Sequence, residues 1–422
     1  MVLRPLPGRS AVTAGSRPRA AMYVAGGISS VGTQMTMLAL PWLVLETTGS
    51  AARTGLVYAV QVLPMALLGF VGGSVLQRLG ARRTMLVADA ARAPLVALVP
   101  ILHATGALHL GTLLSLVALT GLFGVPYAAS QRVLAMDLIG ASPRALSQAY
   151  GVLDGIYNVA AVGGPALAGT LIALLGPATV LWIDAASYVA SFLVLLTLVP
   201  RTAGGAAPAA QQHDVWAGLR YLRTDRFLGQ AVISTVLFGF VLRVLAISLP
   251  LLAYTRFGHD ARAGGLLVAG SGAGALLGSL VTYLVASRLD PVRLARTAMV
   301  LIALPLWFLL LPVPPAALVV AVAVSSAAVT VSNAPYAAIV SVRAPAGLLP
   351  SVIQTVITVG SIAGPLGLLL AGVLTDRVGI EACLLVVAVT ASIATVNVLF
   401  ALTRLVSDTT ATPAPERTLG HV

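Results

Sequence analysis

Uninterrupted apolar runs of 20 residues or more recur along this chain. A membrane-crossing helix needs about 20 such residues, whereas the strands of a membrane barrel alternate apolar and polar residues over ~10-residue segments. The runs therefore predict an all-α membrane protein and argue against a closed barrel. Composition agrees. Of 422 residues, 58% are hydrophobic and 9% charged, against about 25% charged in a soluble domain, so the chain cannot solvate its own surface in water. Twelve crossings of ~22 residues use about 260 residues and leave short loops and two tails.

The spans are expected at about 21–45, 55–76, 84–103, 108–130, 148–173, 178–199, 228–253, 263–286, 295–312, 314–338, 351–374 and 381–403. Arg4, Arg9, Arg17 and Arg19 precede the first run. That run exceeds the 7–15-residue core of a signal peptide and is read as a retained first span.

All 25 basic residues are arginine. With no lysine there is no P-loop lysine for ATP phosphates and none for a Schiff base. A net charge of +12 raises nucleic acid as a partner, but the arginine positions point to the membrane surface instead. With the N-terminus cytoplasmic, 20 arginines fall on the inner side and four (Arg53, Arg256, Arg262 and Arg377) on the outer, with Arg243 inside a span. Arginine marks cytoplasmic loops, so both tails are expected in the cytoplasm of a bacterial inner membrane, which requires an even number of crossings. The single cysteine, Cys383, allows no intrachain disulfide. His103, His109, His213, His259 and His421 are scattered, and neither a metal site nor a cofactor is expected. Gly270, Gly272, Gly274 and Gly278 imitate a nucleotide loop, yet lie in an apolar helix without a preceding strand, which indicates helix packing.

The chain divides into an N-terminal tail (1–20), a six-helix half (21–199), a linker (200–226), a second six-helix half (227–404) and a C-terminal tail (405–422). In the linker Val215, Leu219 and Leu222 fall on one helical stripe beside Arg220, Arg223 and Arg226, with Trp216 at its edge. The pattern suits a helix lying on an anionic leaflet; the alternative is a flexible linker.

The two halves repeat each other. Leu40, Pro41, Leu43, Gly49, Ala52, Arg53 and Gly55 recur 209 residues later as Leu249, Pro250, Leu252, Gly258, Ala261, Arg262 and Gly264. Pro126-Tyr127-Ala128-Ala129 recurs at the same offset, and Gly164-Pro165 recurs as Gly364-Pro365 at an offset of 200. Twelve transmembrane helices in two parallel six-helix repeats, with a site at the midplane between them, describe one transporter architecture.

This arrangement resembles the major facilitator superfamily. The segment Gly73-Ser-Val-Leu-Gln77-Arg78-Leu-Gly80-Ala-Arg82-Arg83 is similar to that superfamily's loop 2–3 signature, with Gln77 where an acid is usual. Gly73 permits close helix packing, Gly80 a sharp turn, and the arginines hold the loop at the inner face. Gly163-Gly164-Pro165-Ala-Leu-Ala-Gly169 resembles the Gly-Pro motif of its exporters; a packing kink is the alternative. With Ile183-Asp184-Ala-Ala-Ser187-Tyr188 and Gly218-Leu-Arg220-Tyr221-Leu222, the chain resembles the twelve-span branch of macrolide and enterobactin exporters over about residues 20–405. The resemblance implies export driven by the proton gradient. Alternating access is expected, by a monomer that handles a small molecule and protons within the bilayer, and with no clustered Asp, His or Ser constellation in the spans it is not expected to be an enzyme.

Ionisable residues within spans are costly and mark function. Arg243 needs a carboxylate, carbonyls or water. Asp154 in span 5 shares a face with Asn158 and adjoins Tyr157; desolvation penalises a charged carboxylate, so it is the leading proton-coupling candidate, with pairing to a loop arginine as the alternative. Asp89 and Arg92 sit at i, i+3 and are expected to pair with each other or with loop 2–3. Asp184 is a further coupling or packing candidate. Asp376 and Glu381 are expected to be solvated. Gln34, Thr120, Tyr127, Asn333, Gln354 and Thr358, with Tyr157 and Asn158, are the expected ligand-facing polar groups. So few charges suit a lipophilic or amphiphilic ligand. Uptake of a metabolite on the same fold, or a non-transporting receptor or scaffold, are the alternative functions.

Overall fold

The structure, a computed structural model, describes residues 16–68, 79–139, 142–201, 220–222, 224, 226–285, 288–343 and 348–411. Among these, twelve α-helices follow in order: α1 (Ser16–Thr48), α2 (Ala51–Leu68), α3 (Ala81–Ala104), α4 (Leu110–Ile139), α5 (Pro143–Leu175), α6 (Pro177–Leu198), α7 (Arg226–Arg256), α8 (Ala261–Val285), α9 (Pro291–Ala303), α10 (Pro315–Arg343), α11 (Leu349–Val378) and α12 (Ile380–Ala411). Ten described helices are long and apolar enough to cross a membrane. Most run past the expected spans, because hydropathy marks the hydrocarbon layer and not the end of helical hydrogen bonding. Span 9 departs from its expected form. After Ala303 it tightens into a 3-10 turn over Leu304–Leu310, where Pro305 removes a backbone donor.

Proline lies inside α1, α4, α5, α7, α10 and α11 at Pro41, Pro126, Pro165, Pro250, Pro335 and Pro365. These are the repeated prolines of the sequence. A spanning helix tolerates them because neighbouring helices and hydroxyl side chains satisfy the freed carbonyls. The repeat also reaches the turns. Gly49 and Gly258 take left-handed φ angles of 61° and 63°, a region costly for a side chain with a Cβ.

The contacts divide the chain into two compact units. The first comprises residues 1–212, 243–273 and 365–383, and the second 213–242, 274–364 and 384–422. The first thus takes in more than the N-terminal six helices. It adds the end of α7, the start of α8, the end of α11 and the start of α12. Its core includes Met22, Met85, Leu134, Leu138 and Leu195. Glycine draws its helices together. A Cβ on Gly169 of α5 would overlap the Ala261 carbonyl of α8, and one on Gly265 of α8 would overlap the Pro165 carbonyl. At the α2–α11 crossing, a Cβ on Gly55 would lie 2.6 Å from the Leu368 carbonyl, and one on Gly372 2.5 Å from that of Ala51. Asp376 also joins this crossing. It accepts from the backbone N–H of Ala51 (2.6 Å) and Ala52 (2.9 Å) and from the Ser50 hydroxyl (2.7 Å), so it caps α2 and is more than a solvated loop acid. Glu381 likewise has a partner, Arg256.

In the second unit Leu228, Met299, Ile302, Ala328, Val352 and Val398 form the core. The Asn397 amide donates to the Ser234 hydroxyl (2.8 Å) and the Gln230 carbonyl (3.0 Å). Gly274 and Gly278 of α8 are packing residues, as the sequence predicts. Cβ atoms on Gly274 and Gly278 would overlap the carbonyls of Ala323 and Ala327 on α10. Most of the linker, with its expected surface helix, lies outside the described residues.

Candidate functional site

Within the first unit, α6 carries Asp184, Ser187, Tyr188 and Ser191, positions i, i+3, i+4 and i+7 of one helical face. Asp89 and Arg92 on α3 are one turn apart. The two faces meet. Arg92 Nη2 donates to Asp89 Oδ1 at 2.5 Å, and the Ser191 hydroxyl donates to Asp89 Oδ2 at 2.7 Å. The Arg92 guanidinium lies 4.3 Å from the ring centres of both Tyr127 (α4) and Tyr188, a stacking that planar guanidinium permits. From α1, Thr36 donates to Asp184 Oδ2 at 2.5 Å, and the Thr33 and Tyr188 hydroxyls lie 3.0 Å apart. Ser187 donates to Asp184 Oδ1 at 3.2 Å. Gly32 lets α1 approach, since a Cβ there would overlap Asp184 and Ser187. Asp89 and Asp184 are both 0% exposed and Arg92 is 4% exposed.

Removing one partner of a buried ion pair leaves an uncompensated charge, at a cost of about 3–5 kcal/mol. Arg92→Met is therefore expected to lower the thermal unfolding temperature of the detergent-solubilised protein markedly. Asp89→Asn combined with Arg92→Gln is expected to lose less than Arg92→Met alone. A double variant at least as unstable as Arg92→Met would contradict this account of the pair.

A cavity of about 430 Å³ adjoins the cluster, with Thr36, Arg92 and Tyr188 in its wall. Thr33, Gln61 and Thr120 add polar groups to a lining otherwise dominated by aliphatic residues such as Leu40, Val96 and Val117. This is the size and character of a small-molecule site.

The residues singled out in the sequence fall in different places. Asp89, Asp184 and Tyr127 join the cluster, and Thr120 lines the cavity. Gln34 packs beneath Gly164 and is not in the cavity wall. Asp154 is 64% exposed, with Arg132 at 3.7 Å, so the pairing alternative describes its geometry. Arg243 on α7 is exposed, as are Tyr157 and Asn333, while Asn158 is half-buried. The Gln354 and Thr358 side chains lie outside the described residues, as do Gly73, Gln77 and Arg78. Gly80 precedes α3 with φ 77°. Arg82 is buried and donates to the Val199 (2.8 Å) and Leu196 (2.9 Å) carbonyls at the end of α6, a favourable place for a cation. Arg83 is exposed. Pro165 and Gly169 form the contact with Gly265 described above.

Thr33, Thr36, Gln61 and Ser191 were not singled out from sequence. The polar stripe on α6 was a usable signal for Ser191. Single hydroxyls on α1 carry no such signal.

A duplicated bundle of membrane-crossing helices, with a small-molecule cavity beside a buried charge cluster, defines a membrane transporter. The chain belongs to the Major Facilitator Superfamily, whose family model matches residues 22–365. It is 29% identical over 371 residues to multidrug efflux pump Tap of Mycobacterium tuberculosis, covering 86% of this chain and 88% of that protein. To multidrug efflux pump Tap of Mycolicibacterium fortuitum it is 28% identical, covering 85% and 89%. The fold is similar to the nucleoside transporter NupG (TM-score 0.73, 14% identity, 92% of this chain and 98% of that one). It is also similar to a bacterial homologue of the iron transporter ferroportin in its inward-facing state (TM-score 0.71, 14% identity, 92% and 99%).

Proposed function

We propose that this protein exports lipophilic or amphiphilic small molecules in exchange for protons, by alternating access, as a monomer in a bacterial inner membrane with both termini cytoplasmic. The arginine asymmetry supports that orientation, and the efflux role of the Tap relatives supports the direction of transport. The observation that carries the coupling is charge arithmetic. Asp89 and Asp184 are both fully buried, and Arg92 is the guanidinium paired with Asp89. With both acids ionised the three groups sum to one negative charge, which a proton or a cationic ligand can balance. Helices α1, α3, α4 and α6 all bond or stack within this cluster, so a change in its charge biases how they pack. Asp184 is accordingly the favoured coupling acid over the exposed Asp154.

The test is uptake into inside-out proteoliposomes of a lipophilic dye such as ethidium. A proton gradient, acid inside, is expected to accelerate accumulation severalfold, and a protonophore is expected to abolish the gain. Accumulation indifferent to the gradient would remove the coupling. Dye movement only in the opposite direction would indicate uptake into the cell.

A further inference from the structure

Where α3 begins and α6 ends, three arginines gather. Arg82 is buried and joins the two helices, its Nε donating to the Val199 carbonyl (2.8 Å) and its Nη2 to that of Leu196 (2.9 Å). Arg83 and Arg201 are exposed, and both lie close enough for their charges to repel that of Arg82. The carbonyls at the end of α6 offset about half a charge, which leaves most of the cluster's positive charge unbalanced. None of the three has a carboxylate partner among the described residues, and residues 51–88 and 185–213 contain no Asp or Glu. Two apolar faces run from this cluster into the membrane. On α3, Val87, Ala90 and Pro94 continue the exposed face that Arg83 begins. On α6, Val189, Leu193 and Leu196 form the exposed face that leads to Arg201.

We propose that an anionic phospholipid binds here, its phosphate held between Arg83 and Arg201 in front of Arg82, and its acyl chains laid along the exposed faces of α3 and α6. Guanidinium suits phosphate because its planar N–H fork meets two oxygens at once. Basic recesses between membrane helices recruit anionic headgroups in this way. A zwitterionic headgroup brings no net charge and leaves the repulsion among the arginines in place, so a lipid with the same chains gains less. The bound headgroup ties the start of α3 to the end of α6, the two helices that carry Asp89, Arg92 and Asp184. Nothing in this site depends on what the protein transports.

The experiment uses the full chain in a neutral detergent, with bound lipids counted by native mass spectrometry. Dioleoyl phosphatidylglycerol is expected to bind about tenfold more tightly than dioleoyl phosphatidylcholine. Arg83→Gln combined with Arg201→Gln leaves the Arg82 bonds in place, and the preference should fall to about twofold or less. Phosphatidylcholine binding should persist, which reports that the variant is folded. Arg201→Gln alone, beyond the end of α6, replaces the pair if the double variant does not fold, and should lower the preference about threefold. The matched control is Arg288→Gln combined with Arg293→Gln, two exposed arginines of the second unit. It removes the same charge and should keep the full preference. Equal binding of the two lipids to the unaltered protein, or a preference that survives the Arg83 and Arg201 substitutions, would overturn the site. So would an equal loss in the control pair, which would show a diffuse attraction to all the surface arginines. Displacement of phosphatidylglycerol by an equal concentration of inorganic phosphate would overturn the lipid as the ligand.

Discussion

Asp184→Asn is expected to lower proton-driven export by at least tenfold. Asparagine matches the shape of the carboxyl and keeps an acceptor for Thr36 or Ser187, so α1 and α6 still pack through the same polar contacts. What it removes is the ability to gain and lose a proton, and with it the charge imbalance shared with Asp89 and Arg92. A tenfold loss corresponds to about 1.4 kcal/mol, well within what a single buried charge contributes. Exchange of labelled for unlabelled dye without a gradient measures alternating access apart from coupling, and it is expected to continue in this variant. Asp154→Asn should retain most of the driven rate, because Asp154 is exposed beside Arg132. Driven export at the unaltered rate in Asp184→Asn, or its loss in Asp154→Asn alone, would transfer the role to another acid.

The second large effect is expected at the α5–α8 crossing. In Gly169→Val the new side chain has no space, since even a Cβ would overlap the Ala261 carbonyl and lie 2.9 Å from the Gly265 Cα. Those obstacles are backbone, which cannot rotate aside, so the helices must separate. Close small-residue contacts are a main source of helix association in membranes. Export is therefore expected to fall tenfold or more. Spin labels on introduced cysteines at Gly169-flanking Thr170 and at Arg262 should report a longer separation between α5 and α8. Gly163→Ala, where a Cβ meets nothing within 4 Å, serves as the helix-matched control and should transport normally. An unchanged separation with full activity in Gly169→Val would show that this contact is dispensable.

The repeat and the helices were legible because both are written in local pattern. Apolar runs report which segments lie in the hydrocarbon layer, and the paired motifs around Pro41 and Pro250 persist as paired prolines and paired left-handed glycines. The Asp89–Arg92 pair was legible for the same reason, since one helical turn brings the two together in any helix. Ranking the acids was another matter. Asp154 and Asp184 both read as carboxylates in apolar surroundings. Their difference comes from which neighbour covers them: Gly32, Thr33 and Thr36 of α1 close over Asp184, while the described neighbour of Asp154 is the exposed Arg132.

Sequence by itself determined the solvent this protein folds in, the helical form that lipid imposes, and the duplication, because hydropathy and repeated spacing are properties of the chain read in order. Tertiary structure alone decided which polar groups are enclosed and that two tyrosines from different helices lie against Arg92. Those outcomes depend on contacts between residues as far apart as Thr36 and Asp184, and no local pattern encodes which helix faces will meet.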